Sequence, residues 1–345
     1  MKTAMIAMSG GVDSSVAAYL AGEQGYVCQG STMLLWDSDP GCAVDAKAVC
    51  DRLGIPFQIF DATADFRREV VEPFIRAYEL GLTPNPCFLC NRRLKFSWLL
   101  DKALESGCGY VVTGHYARLV REGGRTLLYS APDQAKDQSY FLAGLNQNQL
   151  SHSLFPLGDM TKEQVRAIAQ EQGFLNARKK DSQDICFIPD GDYKAFMERY
   201  TGKTYPAGDF LDGNGKVVGR HNGAVGYTLG QRKGLGLAMG SPVYVCGKDM
   251  IANTVTVGPE SNLFAKTVFA EGSNFIPFDC LTEEMSVTAK ARSRHAPQPA
   301  VVYPEGEGRI RVEFHQPQRA VTPGQAIVLY DGDLVIGSAT ITAAE

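Results

Sequence analysis

The sequence predicts an α/β fold with a doubly wound, mainly parallel sheet, followed by two small β-rich domains, the last of them a β-barrel. Three observations support this prediction. An apolar strand at residues 5–8 runs through a glycine turn into a helix. Strand and helix patterns then alternate as far as residue 130. From about Gly202 this alternation gives way to short β-rich runs between glycines and prolines.

Apolar periodicity predicts the elements of the first domain. After the strand at residues 5–8, further strands are predicted at residues 26–35, 56–60 and 110–113. Helices are predicted at residues 16–20, 43–53, 64–78 and 95–104. Residues 136–200 are expected to be mostly helical, with one helix opened by a capping box at Thr161 and Gln164. Because parallel sheets bind ligands at the carboxyl ends of their strands, residues 9–15, Met33 and residues 114–115 are candidates for a site.

The remainder of the chain is predicted to be β-rich. Short β runs are expected at residues 216–218, 243–245, 254–257, 287–291, 300–303, 309–314 and 326–330. The sequence pattern changes near Thr201, and we place a second boundary near Phe264. We expect domains at residues 1–200, 201–263 and 264–345.

Composition limits the class of protein. With 345 residues, two or three domains are expected. The net charge of −4 provides no overall attraction to nucleic acid, so RNA contacts would have to come from local basic groups. Each such group, taken singly, is expected to lie on a solvent-exposed face. Examples are Arg118, Arg121 and Arg125, and Arg178, Lys179 and Lys180. No membrane span and no signal peptide are expected. Nine irregularly spaced cysteines favour a reducing cytoplasm over a secreted disulfide framework.

The segment SGGVDSS at residues 9–15 joins a strand to a helix. Gly10 and Gly11 allow the backbone to approach an anion, and the helix N-terminus favours negative charge. Ser9, Ser14 and Ser15 could add hydroxyl donors, and Asp13 could orient a metal ion or cap the helix. The segment lacks the Gly-Lys-Ser/Thr ending of a P-loop and the third glycine of a dinucleotide fingerprint. It therefore indicates a phosphate-binding turn of another class.

Three cysteines are candidates for chemistry. Cys87 and Cys90 follow two prolines and are expected just before a helix, near Arg92, Arg93 and Lys95. This position predicts a lowered thiol pKa. Cys186 is the third candidate, and the other six cysteines are interpreted as small buried side chains. No second C-x-x-C accompanies the first, which leaves sulfur chemistry or a three-thiolate cluster site.

Several segments of the chain occur together in one known family, in the same order and over nearly the whole length. They are SGGVDSS (9–15), TPNPCFLCN (83–91), VTGHYAR (112–118), KDQSYFL (136–142), LFPLGDMTKEQVR (154–166), KKDSQDICFI (179–188), GYTLGQRKGLG (226–236) and TPGQ (322–325). With these segments the chain resembles the tRNA-specific 2-thiouridylase family. The resemblance implies the adenine nucleotide alpha hydrolase-like fold.

The resemblance also implies a mechanism. ATP, with Mg²⁺, adenylates the C2 oxygen of the wobble uridine of tRNA and releases pyrophosphate. Sulfur arrives as a persulfide on Cys186, and Cys90 attacks or resolves it while AMP leaves. A Cys90–Cys186 disulfide is then a resting or by-product state. The partners implied are tRNA and a sulfur-donor protein (a cysteine desulfurase or a relay) or inorganic sulfide.

Site residues are carried over position by position from the matching segments. The ATP-binding residues implied are Ala7, Met8, Ser9, Gly10, Gly11, Val12, Asp13, Ser14, Met33 and Gly114. The target base is expected to face Asn85, Pro86 and Cys87. The tRNA contacts implied are His115, Lys136, Asp137, Gln138, Arg292, Ser293 and Gln325. The family often has Arg-Tyr at 292–293, so Ser293 lacks an aromatic stacking partner for a base.

Cys87 differs from the family pattern, because many members have at this position an Asp that serves as a general acid or base. A third thiolate raises the alternative that Cys87, Cys90 and Cys186 hold a [4Fe-4S] cluster with one open iron for sulfide. Three other functions compete with wobble-uridine thiolation. They are thiolation of a different tRNA base, a ligase of the same ATP-pyrophosphatase class acting on a small carboxylate, and a nucleotide-sensing RNA-binding module.

Overall fold

A computed structural model describes residues 1–36, 41–177, 179 and 185–345. Its first sheet is five-stranded and parallel, in the order β3-β2-β1-β4-β7. These strands are β1 (Thr3–Ala7), β2 (Val27–Leu34), β3 (Phe57–Asp61), β4 (Tyr110–Val112) and β7 (Ser153–Leu154). The central strand is β1, so the residues that follow it lie at the middle of the carboxyl edge.

Helices cover both faces of this sheet. On one face α1 (Val12–Glu23), α2 (Gly41–Leu53) and α9 (Lys162–Glu171) pack against Ala4 and Ile6 of β1. On the other face α6 (Leu99–Glu105) packs against Met5. Successive residues of a strand point to opposite faces, which explains this division. The predicted doubly wound, mainly parallel sheet is confirmed.

Two long helical stretches each contain a π-helical segment. The first runs through α3 (Thr63–Phe66), a π segment (Arg67–Val71) and α4 (Glu72–Glu79). The second runs through α5 (Pro86–Cys90), a π segment (Asn91–Trp98) and α6. The prediction that this second helix follows the cysteines is wrong, since it begins at Pro86. Asn85 caps the helix with its side chain and a proline suits the first helical position, so helix formation starts four residues before Cys90.

The remaining helices are short: α7 (Ser139–Leu142), α8 (Gln147–Ser151) and α10 (Tyr193–Thr201). The capping box predicted at Thr161 and Gln164 is confirmed, with both reciprocal hydrogen bonds present. Within the described residues, no helix combines the length and apolar character that a membrane crossing requires.

Two further sheets follow. The middle sheet has the order β10-β11-β8-β9, formed by β8 (Gly208–Leu211), β9 (Val217–His221), β10 (Tyr244–Asp249) and β11 (Thr254–Gly258). The last sheet has the order β12-β15-β14-β13-β16-β17 and closes where β12 pairs with β17. Its strands are β12 (Phe264–Phe275), β13 (Met285–Lys290), β14 (Gln298–Pro304), β15 (Arg309–Arg319), β16 (Ala326–Asp331) and β17 (Leu334–Ala344). The predicted C-terminal β-barrel is confirmed.

One hairpin departs from the predicted alternation of strands and helices. The strands β5 (Ala117–Glu122) and β6 (Arg125–Ser130) leave the parallel sheet after β4. They join the C-terminal sheet instead, where Tyr129 pairs with Leu334 of β17. The first part of the chain therefore contributes two strands to the sheet of the barrel.

Candidate active site

The turn between β1 and α1 depends on two glycines. Gly10 has a φ of +70°, and a Cβ at this position would lie 2.5 Å from the carbonyl oxygen of Cys42. Gly11 is the N-cap of α1 and is extended, with φ −96° and ψ 165°. The first N–H groups of α1 and the positive end of its dipole therefore face the turn. This geometry suits an anion, as the sequence predicts.

Gly10→Ala is expected to weaken both folding and ATP binding. Gly25→Ala is the matched control, because Gly25 also has a positive φ (+82°) but no atom within 4 Å of the added Cβ. Strain alone costs about 1–2 kcal/mol in either variant. Contact with the Cys42 backbone adds roughly 1–3 kcal/mol for Gly10→Ala. Urea unfolding and equilibrium ATP binding measure the two effects, and equal losses in both variants would contradict this account of the turn.

The serines of this segment hold the turn together. Ser14 Oγ donates to the Gly11 carbonyl (3.0 Å) and accepts from the Ser9 amide (3.2 Å). Ser15 Oγ also donates to the Gly11 carbonyl (3.0 Å) and accepts from Asn176 Nδ2 (2.9 Å). The hydroxyl hydrogens of Ser14 and Ser15 are thus used on Gly11 and not on the open side of the turn, where the sequence suggested phosphate donors. Asn176 is buried and also donates to the Gly10 carbonyl (3.1 Å).

Asp13 is paired with a buried lysine. Lys162 Nζ lies 2.8 and 2.9 Å from the two carboxylate oxygens of Asp13, and Tyr116 OH donates to the same carboxylate at 2.8 Å. The carboxylate therefore neither caps α1 nor stands free as a metal ligand, the two roles the sequence suggested. Sequence reasoning missed Lys162. A lysine in the first turn of a helix opposes the dipole, and that conflict was the available signal for a tertiary partner.

The other predicted ATP-binding residues lie at the same edge of the sheet. Ala7 ends β1 and pairs with Ser31, Met33 is near the end of β2, and Gly114 follows β4. A Cβ on Gly114 would lie 2.6 Å from the carbonyl carbon of Asp13, so this loop can approach α1 only as glycine. The structure brings together the predicted residues of β1, β2 and the β4 loop.

The thiols also lie at this edge. Cys90 is buried in a cluster with Phe187, the neighbour of Cys186, and Leu35 and Trp36 pack against that cluster. Leu35 and Trp36 directly follow β2, so the cluster lies beyond the carboxyl end of the strand that carries Met33. Cys87 and Cys186 are exposed. The thiols and the glycine turn therefore share one edge of the parallel sheet.

The pKa values of the three thiols contradict the sequence prediction. Burial raises the pKa of Cys90 to about 12, although the positive charge of Lys95 opposes this shift. Cys87 and Cys186 reach the surface, but the protein packed around them desolvates both thiols and likewise raises their pKa, again against Lys95. Charges on the neighbouring thiols raise the pKa of Cys90 and Cys186 further. The prediction of lowered values was wrong because desolvation outweighs the nearby cation.

All nine cysteines are free thiols, Cys90 and Cys186 among them. In the part of the chain that the structure describes, no group of three His, Cys, Asp or Glu side chains is arranged to hold a metal ion. Cys87, Cys90 and Cys186 all lie in this part, and as placed they do not fit a [4Fe-4S] cluster.

His115 is buried between aromatic rings instead of being open to RNA. Its Nδ1 lies 2.7 Å from Thr113 Oγ1, and the imidazole packs on Phe96 and Phe155. Burial holds the pKa of His115 well below its usual value, with a contribution from Lys95. Lys95 thus acts electrostatically on His115 and on all three thiols; the sequence analysis anticipated its proximity to Cys87 and Cys90 but not its proximity to Cys186 and His115.

The predicted tRNA contacts at 136–138 lie near the glycine turn. Lys136 lines an open cavity of about 670 Å³ together with Lys162 and Arg166. Gln138 and Tyr116 exchange two hydrogen bonds, from Tyr116 N to Gln138 Oε1 (2.9 Å) and from Gln138 N to Tyr116 O (2.9 Å). Asp137 accepts from the backbone of residues 131 and 139 and from the hydroxyl of Ser139 (2.8 Å). Of the three residues, Lys136 faces the cavity.

Two of the residues predicted to contact tRNA from the C-terminal barrel, Arg292 and Gln325, form hydrogen bonds to other parts of the protein. Arg292 donates to the Leu229 carbonyl (3.1 Å) and to Thr322 Oγ1. Ser293 is half-buried, and Gln325 donates to the loop before α5. The surface arginines are ion-paired, Arg118 with Asp333 and Arg125 with Asp279. Arg178 and Lys180 lie outside the described residues.

Three family descriptions match the chain in succession. Residues 2–190 match the "tRNA methyl transferase HUP domain", residues 194–259 the "tRNA methyl transferase PRC-barrel domain" and residues 266–341 the "Aminomethyltransferase beta-barrel domain". The first of these matches covers more than half of the chain.

Curated relatives match over nearly their full lengths. The protein of Clostridium acetobutylicum is 45% identical and covers 99% of both chains. That of Acetivibrio thermocellus is 46% identical with the same coverage, and that of Carboxydothermus hydrogenoformans is 45% identical over 99% of this chain and 97% of its own. Each is named tRNA-specific 2-thiouridylase MnmA. Identity at this level over the whole length means that the chain belongs to the tRNA-specific 2-thiouridylase family.

Proposed function

We propose that this protein uses ATP to replace the C2 oxygen of the wobble uridine of tRNA by sulfur. The observation that carries the proposal is the convergence of a phosphate-binding turn and three thiols at one edge of the parallel sheet. The names of the full-length relatives support the same substrate. We place the reaction in the cytoplasm, where free thiols persist.

ATP activates the uracil in the first step. The C2 oxygen attacks the α-phosphorus of ATP, a new O–P bond forms, and pyrophosphate leaves with the electrons of the broken P–O bond. The N–H groups at the start of α1 hold the phosphates, in the region of Ala7–Ser14, Met33 and Gly114. Asp13 is already paired with Lys162, so we propose that Mg²⁺ arrives with the ATP phosphates.

Sulfur enters in the second step. The terminal sulfur of a persulfide on Cys186 attacks C2, and AMP leaves with the former C2 oxygen. The Cys90 thiolate then attacks the Cys186 sulfur, which releases the thiolated base and forms a Cys90–Cys186 disulfide. Hydrosulfide can then attack the Cys186 sulfur of that disulfide, which re-forms the Cys186 persulfide and releases the Cys90 thiol. Alternatively, a cellular thiol reduces the disulfide and a sulfur-donor protein transfers the outer sulfur of its own persulfide to Cys186.

The tRNA occupies the same edge. Asn85, Pro86 and Cys87 face the target base, which is already unpaired in an anticodon loop and therefore easy to flip out. Residues 1–200 carry out the chemistry, and residues 264–345 hold the body of the tRNA. Lys136, which lines the cavity beside Lys162, is a candidate phosphate contact.

Mass spectrometry of tRNA nucleosides tests the function. The protein is incubated with unmodified tRNA, ATP, Mg²⁺ and a persulfide-loaded sulfur-donor protein, and 2-thiouridine is expected at the wobble position only when ATP is present. A thionucleoside at another position would identify a thiolase for a different base. ATP cleavage without any thionucleoside would favour a ligase of the same class.

Cys87→Asp separates the persulfide route from the cluster route. The persulfide route uses only Cys90 and Cys186, and many members of the family have Asp at position 87, so the variant is expected to retain thiolation within about threefold. A cluster would lose one of its three thiolate ligands. Iron content after anaerobic reconstitution is measured beside the thiolation rate. A parallel loss of iron and of thiolation would establish the cluster and overturn the persulfide step.

A further inference from the structure

Residues 83–90, which we call the cysteine loop, comprise the three residues before α5 and α5 itself. The C-terminal barrel contacts this loop through a turn at residues 322–325. Gln325 Nε2 donates to the carbonyl oxygens of Thr83 (2.8 Å) and Pro84 (3.2 Å). The Thr83 amide donates to the Pro323 carbonyl at 2.9 Å. Three hydrogen bonds therefore connect the turn to the backbone just before α5.

The loop depends on these bonds because of its own sequence. Pro84 and Pro86 have no N–H, so the loop contains few donors for its carbonyl groups. A glutamine amide has two N–H groups, and Gln325 directs one to each of two successive carbonyls. Asn85, next in the chain, caps α5 by accepting from the Phe88 amide (3.2 Å). The start of the helix that carries Cys87 and Cys90 is thus fixed from outside its own domain.

The turn that carries Gln325 is itself held on both sides. Gly324 has a φ of +92°, and a Cβ there would lie 3.0 Å from the Thr83 nitrogen, so the turn lies directly against the loop. Gly324 N donates to Ile341 O and Ile341 N to Gln325 O, both at 2.8 Å, which fastens the turn to β17. Arg292 donates to Thr322 and also to Leu229 of the middle part of the chain.

We propose that Gln325 is a positioning residue for the catalytic thiols: it holds the cysteine loop in the conformation that keeps Cys90 buried beside Cys186. This deepens the proposed thiolation reaction and rests on it for its functional consequence. Family resemblance assigns Gln325 to tRNA contact. Both N–H groups of its amide are, however, already used on Thr83 and Pro84, so it acts on the chemistry through the loop.

Alkylation of individual cysteines in the RNA-free protein tests the proposal. Gln325→Ala removes both donors, and Gln325→Glu keeps the shape but places a carboxylate oxygen, in the position of Nε2, against both carbonyl oxygens. Gln318→Ala is the matched control, since the Gln318 amide donates to Gln316 of its own strand. Iodoacetamide labelling is followed by peptide mass spectrometry for each cysteine.

Cys90 is expected to react roughly tenfold faster in both Gln325 variants, as two hydrogen bonds are lost, and at the wild-type rate in Gln318→Ala. Exposed Cys280 and fully buried Cys50 are expected to keep their rates in every variant. An equal acceleration of Cys50 would mean general destabilisation and would overturn a local role. An unchanged Cys90 rate in both Gln325 variants would also overturn it.

Steady-state kinetics supplies the second readout. The Gln325 variants are expected to lower kcat for thiolation roughly tenfold while the Kd for tRNA stays within about threefold. A loss confined to tRNA affinity would restore the RNA-contact assignment and refute the positioning role. If no thionucleoside forms even with the wild type, the proposed function fails, whereas the alkylation result stands independently.

Discussion

The Cys90→Ser protein is expected to bind ATP with wild-type affinity and to form no thionucleoside. A serine oxygen cannot form a disulfide with the Cys186 sulfur and so cannot displace the thiolated base, which remains attached to Cys186. Cys90 is buried in the cluster beyond β2, whereas the glycine turn is formed by residues after β1, so ATP binding has no reason to change. The loss of thiolation is expected to exceed about a thousandfold.

Equilibrium dialysis with ATP and nucleoside mass spectrometry measure these two quantities on the same preparation. Cys280→Ser is the control, because Cys280 is exposed and lies in the C-terminal part of the chain. Retention of thiolation by Cys90→Ser would remove Cys90 from the mechanism. Loss of ATP binding together with thiolation would mean that Cys90 supports the fold of the site and not its chemistry.

The raised pKa of Cys90 adds a pH dependence to this prediction. With a pKa of about 12, only about one molecule in 10⁴ carries the thiolate at pH 8. Alkylation of Cys90 in the RNA-free protein should therefore rise about tenfold per pH unit up to about pH 12. The folded pKa is raised above the unfolded value near 9, so the buried thiol contributes stability below pH 9 that is lost as the pH rises towards 12.

A reactive Cys90 therefore requires a change in its surroundings when substrate binds. Alkylation of Cys90 at pH 8 is expected to become faster when unmodified tRNA is added. A pH profile for Cys90 that levels off below pH 9 without RNA would contradict the buried, protonated state.

Local patterns were sufficient for most of the fold. The alternation of Ala4 and Ile6 with Met5 divides β1 between two faces, and the structure packs a different helix layer on each. The hairpin β5–β6 escaped this reasoning because its pairing partner is Leu334 of β17, about 200 positions later in the chain. Sequence patterns report local periodicity, and they contain no information on which sheet a polar hairpin will join.

The site was predictable in its parts but not in its electrostatics. SGGVDSS and C-x-x-C predicted candidate residues, which the structure brings to one edge of the sheet, because such motifs depend on residue type and short spacing. The raised thiol pKa values come instead from burial, and Cys90 is buried in a cluster that contains Phe187 and against which Leu35 and Trp36 pack, all from distant segments. The same limit applies to Lys162 and Gln325, whose partners are 149 and 242 positions away.

Lys162→Met is expected to destabilise the protein and to weaken ATP binding. The Lys162 side chain is 6% exposed, and the substitution leaves the Asp13 carboxylate, at the start of α1, without its buried cation. Removing one partner of a fully buried pair costs about 3–5 kcal/mol, and because the Asp13 side chain is 32% exposed we expect a smaller cost of roughly 2–4 kcal/mol of unfolding free energy. Lys47→Met is the matched control, because Lys47 pairs with Asp51 on the surface with side chains 59% and 60% exposed. That variant should cost at most about 0.5 kcal/mol.

The double variant Asp13→Asn/Lys162→Met separates folding from function. Removing both charges eliminates the unpaired carboxylate, so a coupling of about 1–3 kcal/mol should return as recovered unfolding free energy. ATP affinity should stay low, because the lysine charge beside the phosphate-binding turn is still missing. Recovery of both quantities would mean that the pair only joins α1 to α9. If Lys162→Met and Lys47→Met lower the unfolding free energy equally, the buried Asp13–Lys162 pair stabilises the protein no more than the exposed Lys47–Asp51 pair does.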